Sequence, residues 1–197
     1  MPKKRKFRFT NKKKKTKKTK EEKPPEPPPD NLIKTHDVVT NVDGIKVLTT
    51  NLLISPTTSD LQDNLCGISF SSEKPRLEVK VLSLPEGGMV SVGIGTPEKF
   101  RSQPGWCSGT WGYHSDDGHL FHNGVRLSNN MGPFHEGDVI VMSFQDGDGD
   151  HKELIIGKNG KQVGKIQYHH YIPPYTPSGW VIGMDKSGTV VHFSTMK

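Results

Sequence analysis

The sequence predicts an all-β fold, a two-sheet antiparallel β-sandwich. Residues 104–138 give the first reason, because short aromatic and apolar pieces alternate there with Gly, Asp, Asn and Pro. Such alternation is typical of strands separated by turns. The 21 Gly and 15 Pro residues of the 197-residue chain also favour many short strands. No segment carries the apolar period of an amphipathic helix.

The predicted strands begin with a hairpin. Residues 38–42 and 45–49 flank Asp43-Gly44, a strong type I′ turn signal because both central residues tolerate positive φ. A second signal of this kind, Asn159-Gly160, joins two later strands. Apolar and β-branched runs predict further strands at residues 65–70, 77–84, 90–95, 139–144, 153–156, 162–166, 180–184 and 189–193. The glycines of the 90–95 run predict a close approach of another part of the backbone.

Alternation within the strand that starts at Leu77 predicts which side is buried. Leu77, Val79 and Val81 lie on one face, while Glu78 and Lys80 lie on the other. This pattern is typical of a strand with one face against a core.

The first 30 residues form a predicted disordered tail, and residues 31–197 form the predicted domain. Thirteen of the 27 Lys and Arg residues lie in residues 1–23, with only two of the 21 Asp and Glu residues. Like charges at this density repel one another and bury little apolar surface. Residues 24–29 read Pro-Pro-Glu-Pro-Pro-Pro and predict a stiff polyproline spacer. The remainder holds 14 basic and 19 acidic residues, so the net charge of +6 arises in the tail.

Two functions are open for the tail, and a third interpretation is a disordered segment that only keeps the protein soluble. One is nuclear import, because a basic cluster after Pro2 resembles an import signal and consists of Lys3, Lys4, Arg5 and Lys6. The other is contact with RNA or DNA, which a dense run of positive charge binds without sequence preference. Phe7 and Phe9 lie among the basic residues and suit stacking on bases. The predicted location is the nucleus, with the cytoplasm as a further compartment.

No catalytic or metal-binding constellation is predicted. Asp146, Asp148 and Asp150 resemble the start of an EF-hand loop, but His151 and Gly157 stand where that loop needs Gly and Glu. The chain has no nucleophile elbow and no phosphate-binding loop. We therefore expect neither enzyme activity nor a cofactor or metal.

The two cysteines, Cys66 and Cys107, lie far apart in the sequence. No secretory apolar segment opens the chain, so both are predicted to be free thiols in a reducing compartment. No apolar run approaches the roughly 20 residues that a membrane span needs. No membrane partner is therefore expected.

Several motifs resemble one known family. Residues 111–118 read Trp-Gly-Tyr-His-Ser-Asp-Asp-Gly, and residues 132–138 read Gly-Pro-Phe-His-Glu-Gly-Asp. Together with the segments at 92–96, 158–161 and 181–184, they resemble SPRY (B30.2-type) domains in order and spacing, particularly the Ran-binding-protein-like branch. Residues 77–81 match the family's aromatic-Glu-Val strand, but Arg76-Leu77 replaces the aromatic residue before the Glu. The resemblance spans roughly residues 65–193 and implies a concanavalin-like sandwich that acts by binding protein.

The resemblance also implies a set of binding residues. SPRY domains that bind peptides do so through loops at one end of the sandwich. Carried over position by position, the implied contacts are Thr96, Pro97, Phe100, Arg101, Trp106, Tyr113, Met184, Asp185 and Lys186. For some of these residues the sequence leaves a second interpretation open. Tyr113 also fits a core position, Trp106 fits a core lid, and Arg101 fits a solvated loop charge.

The sequence thus predicts a monomeric, non-enzymatic adaptor that binds a short linear segment of a partner protein. In the alternative, nucleic acid is the main ligand of the tail, and the sandwich only anchors it. The acidic balance of the domain itself makes it a poor nucleic-acid surface.

Overall fold

The computed structural model describes residues 38–40, 46–48, 51–55, 64–70, 75–96, 102–148, 151–169 and 177–196. Within these residues the secondary structure is strand and turn, as predicted. The strands are β1 Val38–Thr40, β2 Lys46–Leu48, β3 Leu52–Ile54, β4 Asn64–Ser69, β5 Arg76–Ser83, β6 Val90–Gly95, β7 Trp111–His114, β8 His119–His122, β9 Val125–Asn130, β10 Val139–Asp146, β11 His151–Lys158, β12 Lys161–His169, β13 Gly179–Met184 and β14 Val190–Met196.

These strands form two antiparallel sheets. The first sheet has the order β1-β4-β13-β6-β7-β8-β9, and the second has the order β12-β11-β10-β5-β14-β3-β2. Side chains from both sheets share one buried core, so the architecture is the predicted two-sheet sandwich. The predicted tail, residues 1–30, lies outside the described residues.

The predicted hairpin around Asp43-Gly44 is wrong in its pairing. Both strands exist, but β1 pairs with β4 in the first sheet, where Thr40 lies opposite Cys66. Strand β2 pairs instead with β3 in the second sheet. The turn residues themselves lie outside the described part of the chain. The local turn signal did not decide the pairing, because β1 hydrogen-bonds to the edge of one sheet and β2 to the edge of the other.

The predicted alternation in β5 is confirmed. Leu77, Val79 and Val81 are completely buried, whereas Lys80 on the other face is exposed. The Asn159-Gly160 turn is confirmed too, because both residues have positive φ, at 51° and 77°. It joins β11 to β12 in the second sheet.

Strands β6 and β13 differ from β5 because every one of their residues is buried. A strand is buried on both faces only when something covers each of them. The second sheet covers the inner face. The outer face is covered by residues 102–110, which we call the cover segment.

Cys66 and Cys107 are both free thiols, as predicted. Burial raises the pKa of Cys66 to about 12, so this thiol remains protonated at neutral pH. The described residues contain no helical stretch with the length and apolarity that a membrane crossing needs.

The lowered pKa values of two carboxyl groups predict how the free energy of unfolding depends on pH. Glu153 accepts hydrogen bonds from Lys165 Nζ and Gln145 Nε2, each at 2.7 Å, and these bonds lower its pKa. Burial alone would raise the pKa of Asp138, but hydrogen bonds from Asn159 and the His135 backbone lower it. A carboxyl whose folded pKa is lowered stabilises the fold above its unfolded pKa and loses that effect as pH falls through its folded pKa.

We therefore expect the free energy of unfolding to fall as the pH drops below about 5. Glu153→Gln should have a lower free energy of unfolding at pH 7. Below pH 5 its free energy of unfolding should change less steeply with pH, because the variant lacks the carboxyl group that takes up a proton. Urea denaturation across a pH series measures both quantities. Parallel slopes for Glu153→Gln and the wild type would contradict the assignment.

Candidate functional site

The predicted binding residues that the structure describes lie at both ends of the first sheet. Strands β6 and β13 run antiparallel, with Gly95 opposite Gly179 and Val90 opposite Met184. Thr96 therefore follows one end of the first sheet, while Asp185 follows the other. At a rise of roughly 3.3 Å per residue, the length of β6 separates these two positions by about 17 Å.

Two predicted contacts are core residues. The Tyr113 side chain is completely buried, its ring packs 4.8 Å from that of Phe134, and its hydroxyl donates to the Gly132 carbonyl. Burial, with a smaller effect of the Asp138 carboxylate, raises the pKa of Tyr113 to about 12. Met184 is also completely buried. Neither side chain is available to a partner, so the core interpretation of Tyr113 is the one the structure adopts.

Asp185 and Lys186 connect two loops. The Asp185 carboxylate accepts from the Met89 backbone N–H at 2.6 Å, and Lys186 Nζ donates to the Glu86 carbonyl. These contacts hold the loop after β13 against the loop before β6. Pro97, Phe100 and Arg101 lie outside the described residues, as do Lys3, Lys4, Arg5 and Lys6.

The cover segment lies on a floor of glycines. Gly93 and Gly112 are directly opposite each other on β6 and β7, and their outward side is in contact with the cover segment. A Cβ at Gly112 would lie 2.0 Å from the Pro104 carbonyl oxygen, and one at Gly93 would lie 2.9 Å from Pro104 Cβ. Gly183 on β13 extends the floor, because a Cβ there would lie 2.0 Å from Gln103 Oε1. Only glycine permits this approach.

A buried polar contact fixes the cover segment on this floor. Gln103 is completely buried, and its Oε1 accepts a hydrogen bond from Ser91 Oγ on β6. A buried polar group with a partner resists displacement, because leaving it unpaired costs roughly 1–3 kcal/mol. Cys107 packs on the same outer side, against the buried pair Leu65 and Val181.

Further hydrogen bonds fix the shape of the cover segment. Gly105 N donates to Thr110 Oγ1 at 2.8 Å, and Trp106 N donates to the Gln103 carbonyl at 3.0 Å. The β8–β9 turn also contacts the cover segment, because Gly124 N donates to the Gly105 carbonyl at 2.7 Å. These bonds fix the backbone at Gly105 and at the Trp106 nitrogen.

The Trp106 side chain remains accessible in spite of this anchoring, with 47% of its surface exposed. Its ring centroid lies 5.3 Å from that of His114, which in turn lies 4.5 Å from that of Phe121. Phe121 is directly opposite Arg126 in the β8–β9 register, so both side chains leave the same face. We call Trp106, Phe121 and Arg126 the Trp106 surface.

This surface combines apolar area with one cation. His114 beneath it is buried, and its Nε2 lies 2.7 Å from the Pro104 carbonyl. A carbonyl only accepts, so this nitrogen carries the proton and donates. Within the described ranges, no three His, Cys, Asp or Glu side chains lie close enough together to hold a metal ion. The arrangement is suited to recognition of another molecule by an aromatic side chain and a cationic one.

No family model matches the chain. The chain is 32% identical over 128 residues to Ran-binding protein 9 of Xenopus tropicalis, which corresponds to 64% of this chain and 21% of that protein. It is 28% identical over 121 residues to SPRY domain-containing protein 3 of Homo sapiens, covering 58% of this chain and 26% of that protein. The matches therefore span between a fifth and about a quarter of these relatives' lengths.

Solved structures show the same fold. A human SPRY domain superposes with a TM-score of 0.55 at 22% identity, covering 79% of this chain and 94% of that domain. The SPRY domain of human HERC1 superposes with a TM-score of 0.56 at 15% identity, covering 78% of this chain and 93% of that domain. At these identities the likeness concerns the fold alone.

Proposed function

Because the chain is a SPRY domain protein, we propose that it is an adaptor that binds a short segment of a partner protein on the Trp106 surface. Its SPRY relatives point to a protein-interaction module. The observation that carries the proposal is that Trp106 is fixed by backbone hydrogen bonds, yet nearly half of its side chain is exposed.

An aromatic side chain in this state favours binding for two reasons. Tryptophan is enriched among the residues that dominate interface energies, because it offers a large apolar area with one polar N–H. The backbone of Trp106 is fixed by hydrogen bonds and its ring packs on that of His114, so less conformational freedom is lost when a partner docks.

Arg126 adds a preference for the partner's polar groups. Its side chain leaves the same face as that of Phe121 and the residue is exposed, so its guanidinium suits a carboxylate or a backbone carbonyl of the bound segment. Thr96, half-buried at the end of β6, is a further candidate for hydrogen bonding. Pro97, Phe100 and Arg101 stay predictions from the resemblance.

Trp106→Ala should weaken partner binding by at least about tenfold, since hot-spot truncations exceed roughly 2 kcal/mol. Affinity purification with the full chain, followed by titration of a recovered partner, measures the loss. Leu82→Ala is the matched control, because Leu82 is another exposed apolar side chain, at 40%, on a strand of the second sheet. Equal affinity for Trp106→Ala and Leu82→Ala would contradict the proposal.

We also propose that the basic tail directs nuclear import. Replacing Lys3, Lys4, Arg5 and Lys6 together by alanine should abolish nuclear accumulation of a fluorescent fusion. A matched replacement of Lys12, Lys13, Lys14 and Lys15 removes the same charge outside the import-like cluster. If both replacements lower nuclear accumulation equally, net charge and not the import-like cluster is responsible. Binding of RNA or DNA by the tail stays the alternative prediction.

A further inference from the structure

A pocket lies at the end of the sandwich where β5 leaves the second sheet and β6 enters the first. It has a volume of about 370 Å³. Its apolar lining comes from Leu84, Pro85 and Phe134, and its charged lining comes from Glu86, Asp116 and Glu136. None of these six residues belongs to the Trp106 surface. We call this feature the end pocket.

The walls of the end pocket are fixed before any ligand arrives. Ser115 joins them to β6 through two hydrogen bonds with Val90, one from its N–H and one to its Oγ, each at 2.9 Å. Phe134 N donates to the Ser115 carbonyl at 3.1 Å. Gly88 N donates to the Pro85 carbonyl at 2.9 Å, which closes the loop before β6. Binding sites that are formed in advance lose less ordering entropy when occupied.

The charges around the end pocket are unbalanced. Three carboxylates line it, and His135 is the one titratable base among the lining residues. Lys186 also lies beside the pocket, where its ammonium donates to the Glu86 carbonyl, so three carboxylates are set against one ammonium. Glu136 also accepts from Leu84 N, at the long distance of 3.3 Å. The local excess of negative charge favours a cationic ligand.

The arrangement of the carboxylates does not favour a compact metal ion as that ligand. No three acidic, His or Cys side chains among the described residues converge closely enough to hold one. Separated carboxylates around an apolar floor suit a longer group whose carbon stem is apolar and whose tip is charged. Arginine and lysine side chains have this construction.

We propose that the end pocket is a second docking site, which takes a segment of a partner protein carrying an apolar side chain next to an arginine or lysine. Leu84 and Pro85, both half-buried, contact the apolar side chain and the stem, while Glu86, Asp116 and Glu136 pair with the cationic tip. The volume lies near the lower limit of roughly 300–1,000 Å³ for ligand sites, which leaves room for one or two side chains.

The test uses ¹⁵N-labelled full-length protein and two dipeptides, N-acetyl-leucyl-arginine amide and N-acetyl-leucyl-glutamate amide. The arginine dipeptide should shift the amide resonances of Gly87, Gly88 and Ser115 in a saturable manner, and the glutamate dipeptide should not. The Trp106 indole resonance should stay in place. Equal shifts with both dipeptides, or no shifts at these amides at millimolar concentration, would overturn the proposal.

Variants separate the end pocket from the Trp106 surface. Combining Glu86→Gln with Asp116→Asn should weaken binding of the arginine dipeptide by roughly fivefold, since exposed ion pairs contribute little individually. Glu78→Gln, which removes a carboxylate from a strand of the second sheet, should bind like the wild type. Trp106→Ala should also bind the arginine dipeptide with wild-type affinity. The end pocket is therefore tested independently of the proposed function of the Trp106 surface. Unchanged affinity in the double variant would refute the role of the carboxylates.

Discussion

Gly112→Ala is expected to lower the free energy of unfolding by about 3 kcal/mol, at the upper end of the usual range for overpacking. The added Cβ would lie 2.0 Å from the Pro104 carbonyl oxygen and 2.3 Å from its carbonyl carbon. Both are backbone atoms, so no flexible side chain can move aside. Either the cover segment lifts from the sheet or β7 shifts away from β6.

Partner binding should fall in the same variant, because Trp106 reaches its position through the cover segment. Gly157→Ala is the matched control. It is another strand glycine, but the nearest atom to its added Cβ is the Lys161 carbonyl oxygen at 3.5 Å, an ordinary contact. Its stability should change by less than about 1 kcal/mol. Urea denaturation checks both variants, and similar unfolding free energies for the two would show that the glycine floor is not tightly packed.

The strands and their inner faces could be predicted because they depend on local patterns. The alternation of Leu77, Val79 and Val81 is one such pattern, and burial of all three confirms it. The cover segment could not be placed in this way. Its position depends on Gly93 lying opposite Gly112, a long-range register that a turn-rich sequence does not reveal. The Asp43-Gly44 signal failed for the same reason, since pairing with distant strands decided where β1 and β2 lie.

In the candidate site, too, some features could be predicted from local patterns and others could not. Trp106 was predicted as a contact and is exposed, whereas Tyr113 and Met184 carry family motifs but point into the core. Arg126 was missed, although a signal was present. Asn123-Gly124 has positive φ at both residues, 52° and 78°, the conformation of a two-residue hairpin turn. Such a turn places Arg126 opposite Phe121.

Trp180→Ala is expected to lower the free energy of unfolding by about 3–5 kcal/mol, the usual range for removing a large buried aromatic side chain. Trp180 is only 1% exposed. Its ring centroid lies 5.0 Å from that of Phe70, edge-on, and 5.6 Å from that of Phe144 on β10. Since β10 belongs to the second sheet, the Trp180–Phe144 contact joins the two sheets. Its loss leaves a cavity between them.

Trp106→Ala removes the same number of atoms from the outer side of the same sheet and should lower the free energy of unfolding by only about 2 kcal/mol, because nearly half of that side chain is already in water. Measured by urea denaturation and by partner titration, the two variants should rank in opposite orders. Trp180→Ala should lose more stability and retain affinity wherever it is still folded, while Trp106→Ala should lose less stability and should lose affinity. A large stability loss in Trp106→Ala would mean that this side chain mainly holds the cover segment in place, and the binding defect would then be indirect.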